Sequence, residues 1–166
     1  MIYLFVPLNI TDQISRRVLD SWKVQTIPVE IHECRTSEGE IASRKLCISQ
    51  ASKIVSKPNY IIMADDDRAC INSNDNYKII NTNVEDAQTF LNNNQDYGAI
   101  SLVKPKSGND ENDLHIDIGW VMYRSKILLD LSFDVKGDLC IAVTSQIRNL
   151  GSKFDYLDSK NRIMHV

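Results

Sequence analysis

Two rhythms of apolar residues alternate along the chain. Short segments at residues 2–8, 29–34 and 60–64, the first and last of them apolar runs, have strand length and lie between turn formers. Between them Ile14, Val18, Leu19 and Trp22 recur at helical spacing, as do Cys47, Ile48, Ala51, Ile54 and Val55. Thr11 or Asp12 is placed to cap the first helix, and Pro28 breaks the chain after it. A turn over residues 35–40 leads into the second helix, which Lys57-Pro58-Asn59 closes. The first half therefore reads β-α-β-α-β, which predicts a parallel sheet with helices packed on it.

The second half is less regular. Residues 70–81 are polar and Asn-rich and read as a surface loop. A helix is expected over residues 84–91, with Asn83 as cap and Glu85 and Asp86 in the first turn, where the helix dipole favours acids. Residues 97–103 read as a strand. Residues 104–113 (KPKSGNDEND) are the most polar stretch and suit either a lid over a site or a long connection. Residues 116–123 are strand-like. Leu139, Val143, Ile147 and Leu150 mark a last helix with Gly151 as its stop, and residues 154–157 and 162–166 are closing strands. There is no internal repeat. The expected fold class is α/β: one domain over residues 1–166, with a mostly parallel central sheet and helices on both faces.

Composition narrows the class. A 43% hydrophobic and 25% charged chain of 166 residues has globular proportions, so disorder is not expected. The net charge is −3 and no basic stripe advertises nucleic acid. Cys34, Cys47, Cys70 and Cys140 lack C-x-x-C or zinc-finger spacing and read as buried reduced thiols. The apolar start has no basic leader or small-residue cleavage site, so it reads as a first strand and not a signal peptide. No stretch has the length of a membrane span. The expected location is cytoplasmic, or the host cytoplasm for a viral protein.

Candidate chemistry gathers around one triplet. Asp65-Asp66-Asp67 ends the run Tyr60-Ile61-Ile62-Met63-Ala64, and three acids at the end of a buried strand cannot be core. Close-set carboxylates repel one another unless a cation or donors share the site. Oxygen ligands of this kind suit Mg²⁺ or Mn²⁺, which take waters and substrate phosphates as further ligands. In open α/β sheets, ligands bind at the carboxyl ends of the parallel strands. Pro7-Leu8-Asn9, Glu33 to Arg35 and the triplet all fall there, as do Arg44 and Lys45 in the first turn of the second helix. An extended chain would put Asp65 and Asp67 on one face and Asp66 on the other. Asp67 is then the leading metal ligand, and Asp65 could instead meet a ribose hydroxyl. A solvated acidic loop is the plain alternative.

The order of motifs resembles nucleotide-sugar glycosyltransferases of the GT-A fold, especially the inverting family-two type. The resemblance runs from Phe5-Val6-Pro7-Leu8-Asn9 through Ala42-Ser43-Arg44 to the Asp-x-Asp pattern of Asp65-Asp66-Asp67. It continues with Gly119-Trp120-Val121-Met122-Tyr123-Arg124, then Asp138 opening a helix, Gly151, and Ile163-Met164-His165. By that resemblance the chain is a metal-dependent enzyme that moves a sugar from a nucleotide diphosphate sugar, a UDP-sugar foremost, to an acceptor hydroxyl. Inversion is the expected outcome, with retention left open.

The resemblance assigns Pro7, Asn9, Glu33, Arg35, Arg44, Asp65 and Asp66 to the nucleotide. It assigns Asp65, Asp67 and His165 to Mn²⁺ or Mg²⁺. Asp138 stands where such enzymes place the catalytic base, although they usually show Glu-Asp there and this chain has Gly137-Asp138. Asp138 also suits a plain helix cap, and Asp134 is the substitute base. Trp120 and Asp117, with His115 beside them, are expected in the acceptor pocket, although Trp120 suits the core equally. The acceptor could be a small molecule, a glycan or, as in small viral enzymes of this fold, a modified base of DNA. A nucleotidyltransferase would want a Gly-rich basic loop after the first strand, which Pro7 to Asp12 does not supply. A non-catalytic nucleotide-sugar binding module is the remaining alternative.

Overall fold

The computed structural model describes residues 1–54, 56–105, 114–157 and 162–166. Its first elements are β1 (Ile2–Asn9), α1 (Arg16–Lys23), β2 (Val29–Thr36), α2 (Glu40–Ser52) and β3 (Tyr60–Ala64). Three two-residue strands follow: β4 (Arg68–Ala69), β5 (Ile71–Asn72) and β6 (Lys78–Ile79). After them come α3 (Asn83–Asn93), β7 (Tyr97–Ser101), β8 (Trp120–Arg124) and α4 (Ser125–Leu129). The chain closes with α5 (Leu139–Asn149), β9 (Lys153–Tyr156) and β10 (Met164–His165).

The central sheet has six strands in the order β2-β1-β3-β8-β7-β9. β1 is parallel to β2 and β3, and β7 is parallel to β9, whereas β8 runs antiparallel to both its neighbours. The expected parallel sheet is thus present, with one reversed strand inside it. Side chains alternate across the sheet. Leu4, Val6, Ile62, Trp120 and Met122 face Val18 and Trp22 of α1 and Val84 and Leu91 of α3. Phe5, Ile61, Met63, Val121 and Tyr123 face Cys47 and Ala51 of α2 and Val143 and Ile147 of α5. Burial on both faces explains why β3 is a continuous apolar run and not an alternating one. Each such side chain contributes about 1.5–3 kcal/mol by leaving water.

Several local expectations change for identifiable reasons. α1 starts later than expected, capped by Ser15, whose hydroxyl accepts the Val18 amide at 3.3 Å. Thr11 belongs instead to a turn in which its amide and hydroxyl both donate to Asn9 Oδ1. Asn83 is the first residue of α3, not its cap, and its buried amide donates to the Arg162 carbonyl at 2.8 Å. The segment expected as loop over residues 70–81 contains the small hairpin of β5 and β6. β8 is shorter than the strand expected over residues 116–123, because Asp117 Oδ1 accepts the Gly119 amide at 2.8 Å and turns the chain first. α4 was not legible in the periodicity. Val55 and residues 106–113, including most of the polar stretch, lie outside the described residues.

Candidate functional site

The carboxyl ends of β1, β2 and β3 share one edge of the sheet. There the chain turns sharply: the Asp65 amide donates to the Gly119 carbonyl at 2.9 Å, and the Arg68 amide donates back to the Asp65 carbonyl at 3.3 Å. The extended run that would place Asp65 and Asp67 on one face does not form. β4 leaves this turn and pairs antiparallel with β10, His165 opposite Arg68, while the Val166 amide donates to the Asp67 carbonyl at 2.9 Å. The pairing carries the last strand to the acids. His165 Nε2 and Asp67 Oδ2 stand 2.6 Å apart, with the imidazole 64% and the carboxylate 37% exposed. Two expected metal ligands thus meet from positions 98 residues apart in the chain.

Arg44 sits differently from a phosphate ligand at a helix start. It is 2% exposed, and its Nη2 donates to Asp65 Oδ1 at 2.6 Å and to Glu40 Oε1 at 3.1 Å. Its guanidinium also lies 5.9 Å from the centre of the Phe133 ring. Burial works against the Arg44 charge, but Asp65 and Glu40 outweigh it and raise its pKa. Burial likewise pushes the Asp65 carboxyl above the usual range, against the pull of Arg44. Asp66 is pushed up by burial and then by the charges of Asp67 and Asp12. Arg44 therefore holds Asp65 in place, and the nearby acids crowd one another.

Two cavities flank the Arg44–Asp65 pair. One of about 250 Å³ is lined by Pro7, Asn9, Asp12, Gly39, Asp66 and Asp67, with Arg44 and Asp65 at its side. The second, about 420 Å³, is bounded by the same pair together with Arg68, Asp117, Gly119 and Asp138. A crevice of about 180 Å³ continues from it between His115, Asp117, Asp138 and Ile141. Asp138 caps α5, accepting the Ile141 amide at 3.1 Å through Oδ1, and so satisfies the cap reading while still lining both spaces.

Other expected residues fall elsewhere. Glu33 and Arg35 line neither cavity; Arg35 donates to Glu33 and to the backbone carbonyls of Asn9 and Asp12, fastening the turn after β1. Asp134 pairs with Lys45 at 3.1 Å on the surface, away from both cavities. Trp120 is fully buried within the sheet and cannot be an acceptor platform. Its side of β8 faces α1 and α3, while Val121 and Tyr123 take the other face. Sequence reasoning passed over Asp12 and Arg68; their only advance signal is position, one in the turn after β1 and one directly after the acids. Cys34, Cys47 and Cys70 are buried free thiols and Cys140 is partly buried.

No protein-family model and no curated protein matches the chain. Solved structures do. A Drosophila β1,4-galactosyltransferase 7 mutant in complex with manganese, UDP-Gal and xylobiose superposes with a TM-score of 0.66 at 16% identity, over 99% of this chain and 70% of that one. S. aureus TarS gives a TM-score of 0.66 at 14% identity, over 98% of this chain and 36% of that one. The 2-C-methyl-D-erythritol 4-phosphate cytidylyltransferase of Francisella tularensis gives 0.58 at 13% identity, over 99% of this chain and 93% of that one. Likeness at such identities establishes the fold, which is GT-A-like and is shared by glycosyltransferases and nucleotidyltransferases. Among the described residues no helix is long and apolar enough to cross a membrane.

Proposed function

We propose that the chain is a metal-dependent glycosyltransferase that uses a nucleotide diphosphate sugar. The observation that carries this reading is the pair of adjoining cavities that meet at Asp65, one beside Asp67 and the other beside Asp138. A donor and an acceptor need separate compartments that touch where the bond is exchanged.

A carboxylate and an imidazole suit a hard or borderline divalent ion, which would replace the 2.6 Å hydrogen bond that Asp67 and His165 make with each other. Among the described residues no three or more His, Cys, Asp and Glu side chains form a complete metal cluster, so the substrate diphosphate would have to complete the shell. When bound, Mn²⁺ or Mg²⁺ supplies Lewis-acid neutralisation of the charge on the leaving diphosphate.

The chain's own residues divide the remaining work. Pro7, Asn9 and Asp66 flank the nucleoside, while Arg44 keeps the Asp65 carboxylate aimed at the ribose or sugar hydroxyls. Glu33 and Arg35 act through the turn they hold. In the second cavity Asp138 accepts the proton of the acceptor hydroxyl. The hydroxyl oxygen bonds to the anomeric carbon as the bond from that carbon to the diphosphate oxygen breaks, and the electron pair departs with the nucleoside diphosphate. Direct displacement of this kind inverts the anomeric carbon.

Glu40, Asp65, Asp117 and Asp138 outnumber Arg44 and Arg68 around the second cavity. An acidic lining favours a neutral polyhydroxyl acceptor over a polyanion such as DNA. The cytidylyltransferase likeness keeps nucleotidyl transfer as a second reading, to be separated by product. The test is to incubate the protein and Mn²⁺ with UDP-, GDP-, CDP- and TDP-sugars, and separately with nucleoside triphosphates and a sugar phosphate, following release of nucleoside diphosphate and of pyrophosphate. Nucleoside diphosphate release that Asp138→Asn abolishes supports the reading. Pyrophosphate release from a nucleoside triphosphate and a sugar phosphate, with no turnover of any nucleotide sugar, contradicts it.

A further inference from the structure

Arg68 lines the second cavity and lies beside Asp67, which lines the first. Its backbone is held twice, by the Trp22 indole, which donates to its carbonyl at 2.9 Å, and by the pairing with His165. Its side chain is only 21% exposed and lies across Gly119, where an added Cβ would come within 2.5 Å of Nε. Glycine at 119 is what lets the guanidinium settle there. Yet among the described residues the Nε is shut off from solvent with no hydrogen-bond partner, and the nearest carboxylate, Asp67 Oδ1, is 3.8 Å away. Among the described residues, the other cations near this edge are committed: Arg44 to Asp65 and Glu40, Arg35 to Glu33 and the turn after β1, Lys45 to Asp134. A desolvated donor held without an acceptor is a cost that a ligand would remove.

We infer that Arg68 binds the distal phosphate of the donor, beside the bond that breaks. This rests on the glycosyltransferase reading, which puts the diphosphate at Asp67 and the acceptor beside Asp138. Arg68 is 3.8 Å from Asp67, which lines the first cavity, and itself lines the second, so its guanidinium is within reach of both sides of the Arg44–Asp65 pair. A guanidinium offers Nε and Nη donors in the geometry that phosphate oxygens accept in pairs. As the anomeric bond breaks, negative charge grows on the departing phosphate oxygen, and a fixed cation there stabilises the change without reorganising.

Isothermal titration with uridine, guanosine, cytidine and thymidine, their diphosphates and inorganic pyrophosphate, all with Mn²⁺, tests this. In Arg68→Gln the affinity for the preferred nucleoside diphosphate and for pyrophosphate should fall about 10- to 100-fold, the range of a charged hydrogen-bond pair. Nucleoside affinity and the circular dichroism spectrum should not change, and Arg68→Lys should recover part of the loss. Gly119→Ala, which displaces the guanidinium without removing it, should show the same phosphate-selective loss. Wild-type diphosphate binding in Arg68→Gln overturns the inference, while the glycosyltransferase reading survives. Equal loss of nucleoside and diphosphate binding overturns it too, since that is a structural effect. Arg68-dependent binding of pyrophosphate with no nucleotide bound would overturn the donor assignment together with the nucleotide-sugar reading, leaving a phosphate site of another kind. No binding of any phosphate overturns both.

Discussion

Replacing Arg44 by Met keeps the length of the side chain and removes the guanidinium that clamps Asp65. The pair is 2.6 Å long, with Arg44 side-chain exposure of 3% and Asp65 of 27%. Breaking a buried ion pair from one side costs about 3–5 kcal/mol, because the remaining charge is left uncompensated. Asp65 retains some contact with water, so the lower end applies, and the Glu40 contact adds little because Glu40 is 65% exposed. The expected loss is therefore about 3 kcal/mol, which in urea with a slope near 2 kcal/mol/M moves the midpoint by about 1.5 M. The assay is equilibrium urea unfolding of Arg44→Met, Asp65→Asn and the double variant. Because Asp65→Asn removes the orphaned charge, the double variant should be at least about 1 kcal/mol more stable than the sum of the single losses predicts. A loss below about 0.5 kcal/mol for Arg44→Met, accompanied by loss of nucleotide binding, would refute the clamp and return Arg44 to a role as direct phosphate ligand.

Other outcomes follow from the same geometry. Asp138→Asn keeps a good cap residue on α5, so melting should be unchanged while turnover is lost; turnover that survives removes Asp138 as base. Trp120→Ala should cost about 3–5 kcal/mol by opening a cavity in the sheet core, read as a fall in melting temperature. A variant that melts normally but loses acceptor binding would restore the platform role. Gly98→Ala would drive a Cβ against Ser152 Oγ and to 2.9 Å from Ile127, and should destabilise by about 1–3 kcal/mol in urea unfolding. Burial pushes the Cys70 thiol up to about 12 and shields Cys34 and Cys47, so a thiol reagent at pH 8 should modify at most Cys140 in native protein and all four cysteines in urea.

The sheet was legible because β1 and β3 are apolar runs with a turn former or acids at their ends, and β2 is a strand-length segment opened by Pro28. β3 was read to its boundaries, since burial on both faces left no polar residue inside it. The reversed strand β8 was harder to read: strand periodicity says which residues face together but not which way a strand runs. Trp120 was expected in the acceptor pocket because it follows His115 and Asp117 closely, but its side chain is enclosed on the face of the sheet that packs on α1 and α3. Arg44 carried a signal that went unread. Arg44, Cys47, Ile48 and Ala51 follow the i, i+3, i+4, i+7 pattern of one helix face, so the cation shares the apolar stripe. A charge on such a stripe needs a buried partner, and Asp65 is the partner. The meeting of His165 with Asp67 depended on a two-residue strand pairing, which leaves no periodicity to detect. Arg68 depended on a close approach to Gly119 that only the three-dimensional chain reveals.

The central claim is that the edge formed by Pro7, Asn9, Asp65, Asp66, Asp67 and His165 binds a nucleoside diphosphate together with a divalent ion. Thermal melting in the presence of UDP, GDP, CDP or TDP, each with and without Mn²⁺, tests it most directly. A ligand at 100 times its dissociation constant stabilises the folded state by about 2.7 kcal/mol, a rise of about 5–11 °C for a chain of this size. The account predicts that rise for one nucleotide, only with Mn²⁺, and its loss in Asp67→Ala and His165→Ala. Melting curves that no nucleotide moves, with or without the ion, would contradict it.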